Sequence, residues 1–187
     1  MAARPRKTVE AWAFRPSKKA VTWPGFNPGF SVPLAPQEIR TFFVTSVTAR
    51  HRPVLQTARM SSLLLEVLQG NRKQKRFLLH EFVIMPDHFH FLLTPAPDVS
   101  LEKCLQYIKG GFSFRARKEL DFRRDIWQQG FTEHRVKDAG DYERHREYIW
   151  RNPVKKFLVE EASLFPYSSA YPGAEIDAAP PWLKPPT

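Results

Sequence analysis

Two histidines flank one phenylalanine in the segment MPDHFHFLLTP, residues 85–95. Successive residues of a strand point to opposite faces, so His88 and His90 share one face while Phe89 points into the core. Two imidazoles at that separation can bind one metal ion. The spacing by itself leaves two interpretations open, a metal site that takes a further ligand from elsewhere in the chain, and a half-exposed strand face without a ligand.

A second pair of residues with chemical potential lies in HREYIWRNPV, residues 145–154. Tyr148 and Asn152 are four residues apart, which places them on the same face of a helix, one turn apart. A tyrosine hydroxyl can attack a phosphorus centre and form a covalent aryl phosphate. An amide oxygen one turn away can complete a metal site with two histidines. The structural alternative is that Tyr148 packs its ring on a sheet and Asn152 caps the helix before Pro153.

Apolar periodicity predicts the elements that position these residues. The predicted strands are 41–48, 77–85, 88–93 and 131–136, and the predicted helices are about 54–72, 100–119 and 140–151. Ser100 is the expected N-cap of the second helix, Gly110 and Gly111 are expected to weaken or bend it, and Pro153 is expected to stop the third. This order predicts an α+β fold of the ferredoxin-like split βαβ type, with an antiparallel sheet, helices on one face and a C-terminal helix that carries Tyr148.

Composition divides the chain into three parts. Residues 1–38 hold six prolines and several cations, so we expect a basic arm that is flexible, or one that lies on DNA and stacks aromatic residues on bases. The aromatic residues of this arm are Trp12, Phe14, Trp23 and Phe26. Residues 39–172 form the expected catalytic domain, and residues 173–187 an irregular tail.

Net charge and apolar runs restrict the class of protein. Lys and Arg number 29 against 19 Asp and Glu, a formal charge of +10 that suggests a polyanionic partner, most simply nucleic acid. Cys104 is the single cysteine, so no internal disulfide can form. The sequence has neither an apolar run of about 18 residues nor a signal-peptide core, so we expect a cytoplasmic, nucleoid-associated protein without a membrane partner. Monomer and homodimer both stay open.

Four segments together carry a family resemblance: MPDHFHFLLTP, IWQQGF, YIWRNPVKKFLV and FPYSSA, in this order and spacing. With them the chain resembles the REP-associated tyrosine transposases, relatives of the single-tyrosine HUH transposases of bacterial insertion sequences. The resemblance covers roughly residues 40–171. The chain departs from the family at Asp87, where Asn or Glu is common, and in the Gly110–Gly111 pair.

The resemblance implies a function for each motif. His88 and His90 would hold Mg²⁺ or Mn²⁺, with Asn152 as third ligand where relatives use Gln, and Tyr148 would be the nucleophile. Such enzymes cut single-stranded DNA beside a hairpin and leave a 5′-phosphotyrosine, which a free 3′-hydroxyl can attack to rejoin strands. A cation on the scissile phosphate offsets its negative charge. A phenol has a reference pKa of about 10, and the sequence leaves the base that takes its proton open.

Basic residues near the second and third predicted helices fit a DNA substrate. The expected DNA contacts are Lys103, Lys109, Arg115, Arg117, Arg144 and Arg151. A solvated basic face is the alternative for each of them. The leading hypothesis is a site-specific single-stranded DNA endonuclease and strand transferase. Two others stay open: a hairpin-binding protein without important catalysis, and a metal-dependent hydrolase that uses activated water and only a structural Tyr148.

Overall fold

A computed structural model describes residues 39–185. The predicted basic arm, with its proposed stacking aromatics, lies outside the described residues. Within them, no helix is long and apolar enough to cross a membrane.

Four strands form one antiparallel sheet at the centre of the described structure. They are β1 (Phe42–Val47), β2 (Phe77–Ile84), β3 (His88–Pro95) and β4 (Thr132–Arg135), in the spatial order β2-β3-β1-β4. A tight turn at Pro86 and Asp87 joins β2 to β3, and the Met85 amide bonds the His88 carbonyl across it at 2.8 Å. β1 and β3 are the two central strands, and the predicted α+β fold is confirmed.

Two helices cover one face of this sheet. They are α1 (Ala58–Lys73) and α2 (Leu101–Leu120), and both pack on side chains such as Phe89 and Phe91 of β3. α1 begins about four residues later than predicted, because Thr57 caps it by accepting a hydrogen bond from the Met60 amide. The predicted cap at Ser100 is confirmed.

The glycine pair of α2 does not interrupt the helix. α2 runs unbroken through Gly110 and Gly111 for 20 residues. A Cβ at Gly111 would lie 3.3 Å from Val67 Cγ1 of α1, so this glycine allows the two helices to approach closely.

The third helix, α3 (Ala139–Lys155), lies on the opposite face. Tyr142 and Ile149 of α3 pack on Val83 and Leu92, whose side chains point away from Phe89 and Phe91. The prediction that Pro153 ends this helix is wrong. The proline stands in the last turn, where the Lys156 amide bonds the Asn152 carbonyl and the Leu158 amide bonds the Pro153 carbonyl, so the turn closes around it.

The segment after residue 172 has no helix or strand up to residue 185, yet it contacts the sheet and α1. Asp177 accepts hydrogen bonds from Arg72 at 2.9 and 3.0 Å and from the Leu79 amide at 2.8 Å. The Ala178 carbonyl lies 2.6 Å from His80 Nδ1. These contacts attach the segment to the edge strand β2.

Candidate active site on the α3 face of the sheet

His90 occupies the centre of the sheet face that α3 covers. Its neighbour in the β1 register is Thr45, whose hydroxyl lies 2.7 Å from His90 Nδ1. The other ring nitrogen, Nε2, is buried and has no hydrogen-bond partner among the described residues. Burial, together with the charge of His88, lowers the pKa of His90 from 6.5 to about 3. The imidazole is therefore neutral near pH 7, with a lone pair that can accept a proton or bind a metal ion.

His88 lies beside His90, with ring centroids 4.7 Å apart. Its Nδ1 is 2.6 Å from Asp87 Oδ1, which fixes the orientation of the ring. Burial alone would raise the pKa of Asp87, but the hydrogen bond and the charge of His88 outweigh it and leave that pKa below its usual range. A carboxylate on one nitrogen is the usual arrangement for a metal-binding histidine, because it directs the other nitrogen to the metal. The sequence analysis missed this role of Asp87, although its position next to His88 could have suggested it.

Tyr148 stands over His90 from α3. The two ring centroids are 5.1 Å apart with the rings nearly perpendicular, and Phe43 of β1 contacts both rings. Tyr148 is 43% exposed, so its phenol can reach a ligand from solvent. Lys155, two turns further along α3, places its ammonium group 5.7 Å from the Tyr148 ring centroid. The structure thus brings the predicted nucleophile and one predicted metal ligand into contact.

Asn152 follows Tyr148 by one helical turn and is buried on the face of α3 that meets the sheet. Its backbone carbonyl accepts a hydrogen bond from the Lys156 amide at 3.1 Å. The residue therefore lies inside the last turn of α3, whose C-cap is Lys156, so the alternative in which Asn152 caps the helix before Pro153 is wrong. Its role as a metal ligand stays a prediction.

The donor set at this site suits a divalent cation. His90 offers a buried nitrogen without a partner, and burying such a group is costly unless something binds it. His88 is oriented by Asp87 so that its second nitrogen is available. The two imidazoles fit the metal that the family resemblance implies, and an amide oxygen from Asn152 would add a harder ligand.

Glu81 of β2 joins α3, the helix that carries Tyr148, to the sheet. Its carboxylate accepts hydrogen bonds from Trp150 Nε1 of α3 at 2.9 Å and from the Ser169 hydroxyl. Burial raises the pKa of Glu81, and these two hydrogen bonds offset part of the rise. Because the folded protein holds the proton more tightly than the unfolded chain, the contribution of Glu81 to stability falls as pH rises above 4.5.

We expect Glu81→Gln to remove this part of the pH dependence. An amide oxygen can still accept both hydrogen bonds, but it carries no charge that burial penalises. The free energy of unfolding, measured by urea denaturation from pH 4.5 to 8, should decline less for this variant than for the wild type. Glu160→Gln, at an exposed position, is the matched control and should follow the wild-type profile. Parallel profiles for the wild type and Glu81→Gln would contradict the expectation.

A second histidine cluster joins β4 to the first turn of α3. Potential metal-ligating atoms of His134, Asp141 and His145 lie within 4.8 Å of one another. His134 Nε2 is 2.8 Å from Asp141 Oδ2, which also accepts from the Lys137 amide at 3.1 Å. Arg144 reaches the other oxygen at 3.2 Å. The carboxylate is already well supplied with protein donors, so its evident role is to fix the start of α3. The sequence analysis missed this cluster, although Asp141 and His145 are spaced four apart on the helix.

The six predicted DNA contacts fall on two faces of the sheet. Arg144 and Arg151 lie on α3, with side chains 70% and 69% exposed. The four on α2 lie on the opposite face. There Lys109 donates to the carbonyls of residues 128 and 130, and Arg115 bonds Glu66 and Glu119. Lys103 bonds Gln106, and Arg117 is exposed. Their role in binding stays a prediction, and only the α3 pair shares an element with Tyr148.

Comparison with known proteins shows which family the chain belongs to. The sequence model described as "Transposase IS200 like" matches residues 39–152. A REP-associated tyrosine transposase of Escherichia coli K12 is 29% identical over 130 residues, which cover 69% of this chain and 75% of that protein. A Haemophilus influenzae relative is 34% identical over 107 residues, which cover 52% of this chain and 61% of the relative.

Among solved structures, a REP-associated tyrosine transposase bound to a REP hairpin has the same fold. It superposes with a TM-score of 0.60 at 24% identity, over 79% of this chain and 92% of that one. The matched family region contains all four strands, α1 and α2, and most of α3 as far as Asn152. The chain therefore belongs to the IS200-like transposases, a family of DNA-cleaving enzymes.

Proposed function

We propose that this protein is a site-specific single-stranded DNA endonuclease and strand transferase that acts beside DNA hairpins through a 5′-phosphotyrosine at Tyr148. The observation that carries the proposal is the pairing of an exposed phenol with a buried, unpartnered imidazole nitrogen of His90 beneath it. The similar fold of a transposase solved with a REP hairpin supports hairpin DNA as the substrate. A net charge of +10 supports a polyanionic partner.

The proposed metal site consists of His88 and His90, with Asn152 as third ligand. Asp87 orients His88 and the Thr45 hydroxyl orients His90, so both rings are held before a cation arrives. Mg²⁺ or Mn²⁺ bound there would withdraw charge from the oxygens of the scissile phosphate. Both ions suit a site that combines imidazole with amide and phosphate oxygens.

Tyr148 and Lys155 have separate roles in the proposed cleavage step. The Tyr148 phenol gives up its proton as its oxygen attacks phosphorus, the bond from phosphorus to the 3′ oxygen breaks, and the departing strand takes up a proton as its 3′-hydroxyl forms. Lys155, close to the Tyr148 ring, supplies positive charge for the phosphate that approaches the phenol. In the reverse direction a 3′-hydroxyl attacks the phosphotyrosine and releases the phenol, so strands rejoin without an external energy source.

A denaturing gel tests the proposal directly. Labelled single strands that carry a palindromic hairpin of the host genome and single-stranded flanks are incubated with the protein and Mg²⁺. We expect a cleaved strand and a labelled band at the mass of the protein plus DNA. Binding without cleavage would identify a hairpin-binding protein instead. Cleavage without the covalent band would identify a hydrolase that uses activated water.

A further inference from the structure

Phe157 has an unusual backbone conformation just after the end of α3. Its amide bonds the Val154 carbonyl at 2.9 Å and the next amide, of Leu158, bonds the Pro153 carbonyl at 2.9 Å. This is the Schellman arrangement, in which the residue after the C-cap, here Lys156, adopts a left-handed conformation and is usually glycine. Phe157 has φ of 56°, a conformation that is unfavourable for a bulky side chain.

The two capping hydrogen bonds favour this conformation, but no packing of the Phe157 side chain adds to them. Phe157 is 95% exposed, the highest exposure of any large hydrophobic residue described, so its ring adds no core packing. The same arrangement ends α1, where Lys75 has φ of 56° and is also exposed. A lysine there places a cation near the negative end of the helix dipole, whereas a phenyl group has no such benefit. An exposed, strained residue of this kind points to a function outside the fold.

The residues next to Phe157 in sequence suit the binding of a nucleic-acid strand. Residues 151–158 include three exposed cations, Arg151, Lys155 and Lys156, and no acid; the first acids after them are Glu160 and Glu161. Lys155 also approaches the Tyr148 ring and is two residues from Phe157 in sequence, so its ammonium group can contact a phosphate close to Tyr148. An aromatic face beside a line of cations is the common element of sites that bind single-stranded nucleic acid.

From this placement we infer that Phe157 is a stacking residue for a base of the single-stranded flank that lies near the scissile phosphate. The inference rests on the proposed function and adds to it a contact that holds the flank rather than the hairpin. Lys155 and Lys156 neutralise the phosphates on either side of the stacked base. Stacking tolerates any base, because every base offers an aromatic face, so Phe157 contributes affinity and register without sequence selection.

The test separates the aromatic contact from the backbone strain. Phe157→Ala removes the ring but keeps a Cβ in the left-handed conformation, whereas Phe157→Gly removes both. We expect both variants to bind a hairpin with a single-stranded flank about tenfold more weakly than the wild type, the effect of one lost base stack. Phe157→Trp should keep wild-type affinity. The Phe157→Gly variant alone should also unfold roughly 3 °C higher, because glycine relieves the strain.

Two control proteins and one control oligonucleotide make the result specific. Lys75→Gly relieves the same strain at the end of α1 and should raise the unfolding temperature without changing affinity. Phe114→Ala removes a phenyl group that is 66% exposed on the opposite sheet face, and should bind like the wild type. A hairpin without the flank should bind all proteins equally. A 2-aminopurine base in the flank should lose fluorescence on binding the wild type but not Phe157→Ala.

The outcomes that overturn the inference are distinct from those that overturn the proposed function. Equal affinity of the wild type and Phe157→Ala for the flanked hairpin would remove Phe157 from DNA binding and leave the covalent chemistry of Tyr148 intact. A change of sedimentation coefficient in Phe157→Ala without DNA would assign the ring to contact between copies of the chain instead. A wild-type protein that neither binds the flanked oligonucleotide nor forms a covalent band would overturn both proposals.

Discussion

Tyr148→Phe is expected to bind hairpin DNA but to form no covalent adduct. The ring can still pack between His90 and Phe43, while the oxygen that would bond phosphorus is gone. Cleavage should fall to background, a loss of at least about a thousandfold, as for other covalent nucleophiles. DNA affinity should stay within about tenfold of the wild type, because one lost hydrogen bond typically contributes about 1 kcal/mol. The measurements are the adduct band on a denaturing gel and a binding isotherm with the same oligonucleotide.

Two other tyrosines provide the controls for this result. Tyr142 is 3% exposed, so DNA cannot reach its hydroxyl. Burial together with the nearby Glu81 charge raises its pKa, which makes the hydroxyl a weak nucleophile. Tyr107 lies under the Arg76 guanidinium, which is 3.8 Å from its ring centroid, on the α2 face of the sheet. Tyr142→Phe and Tyr107→Phe should both keep the adduct. An adduct that survives in Tyr148→Phe and disappears in either of the others would refute the assignment.

His90→Gln is expected to abolish metal-dependent cleavage and to leave the fold in place. The variant lacks the imidazole nitrogen that is buried without a partner, while its side-chain amide can still bond Thr45. We expect Mn²⁺ affinity, measured by titration calorimetry or electron paramagnetic resonance without DNA, to fall by at least about tenfold. The adduct should disappear in Mg²⁺ and in Mn²⁺. His88→Gln should behave similarly, because His88 supplies the other imidazole of the proposed metal site.

His80→Gln is the matched control, since His80 is a buried histidine of the same sheet with both ring nitrogens hydrogen-bonded. Nδ1 is 2.6 Å from the Ala178 carbonyl and Nε2 is 2.9 Å from the Thr94 hydroxyl. Its replacement should lower thermal stability but keep Mn²⁺ affinity. Unchanged Mn²⁺ affinity in His90→Gln, or equal loss in the two variants, would show that the imidazole of His90 is structural.

The pH dependence of stability gives an independent check on His90. Its pKa in the folded protein, about 3, lies below the ordinary value of 6.5, so only the unfolded chain takes up this proton between those values. The free energy of unfolding should therefore fall as pH drops below 6.5, and His90→Gln should lessen that fall.

Several features of the site could be predicted from the sequence because they depend on local geometry. The alternation of strand residues put His88 and His90 on the same face of β3. The 3.6-residue helical period put Tyr148 and Asn152 on the same face of α3. The turn at Pro86 and Asp87 and the order of elements were enough for the fold class. These are properties of short segments, so the chain specifies them before any tertiary contact forms.

Only the tertiary structure decided how those segments meet. Strand register gave His90 one hydrogen-bonding partner and His80 two, a difference that no sequence pattern contains. Packing placed α3 on the face opposite α2, which separated the cations of α2 from Tyr148. Capping hydrogen bonds carried α3 past Pro153 and left Phe157 strained and exposed. Each outcome depends on contacts between residues distant in sequence or on the hydrogen bonds that close a helix end. In both cases the free energy of burial and hydrogen bonding outweighs the conformational preference of the individual residue.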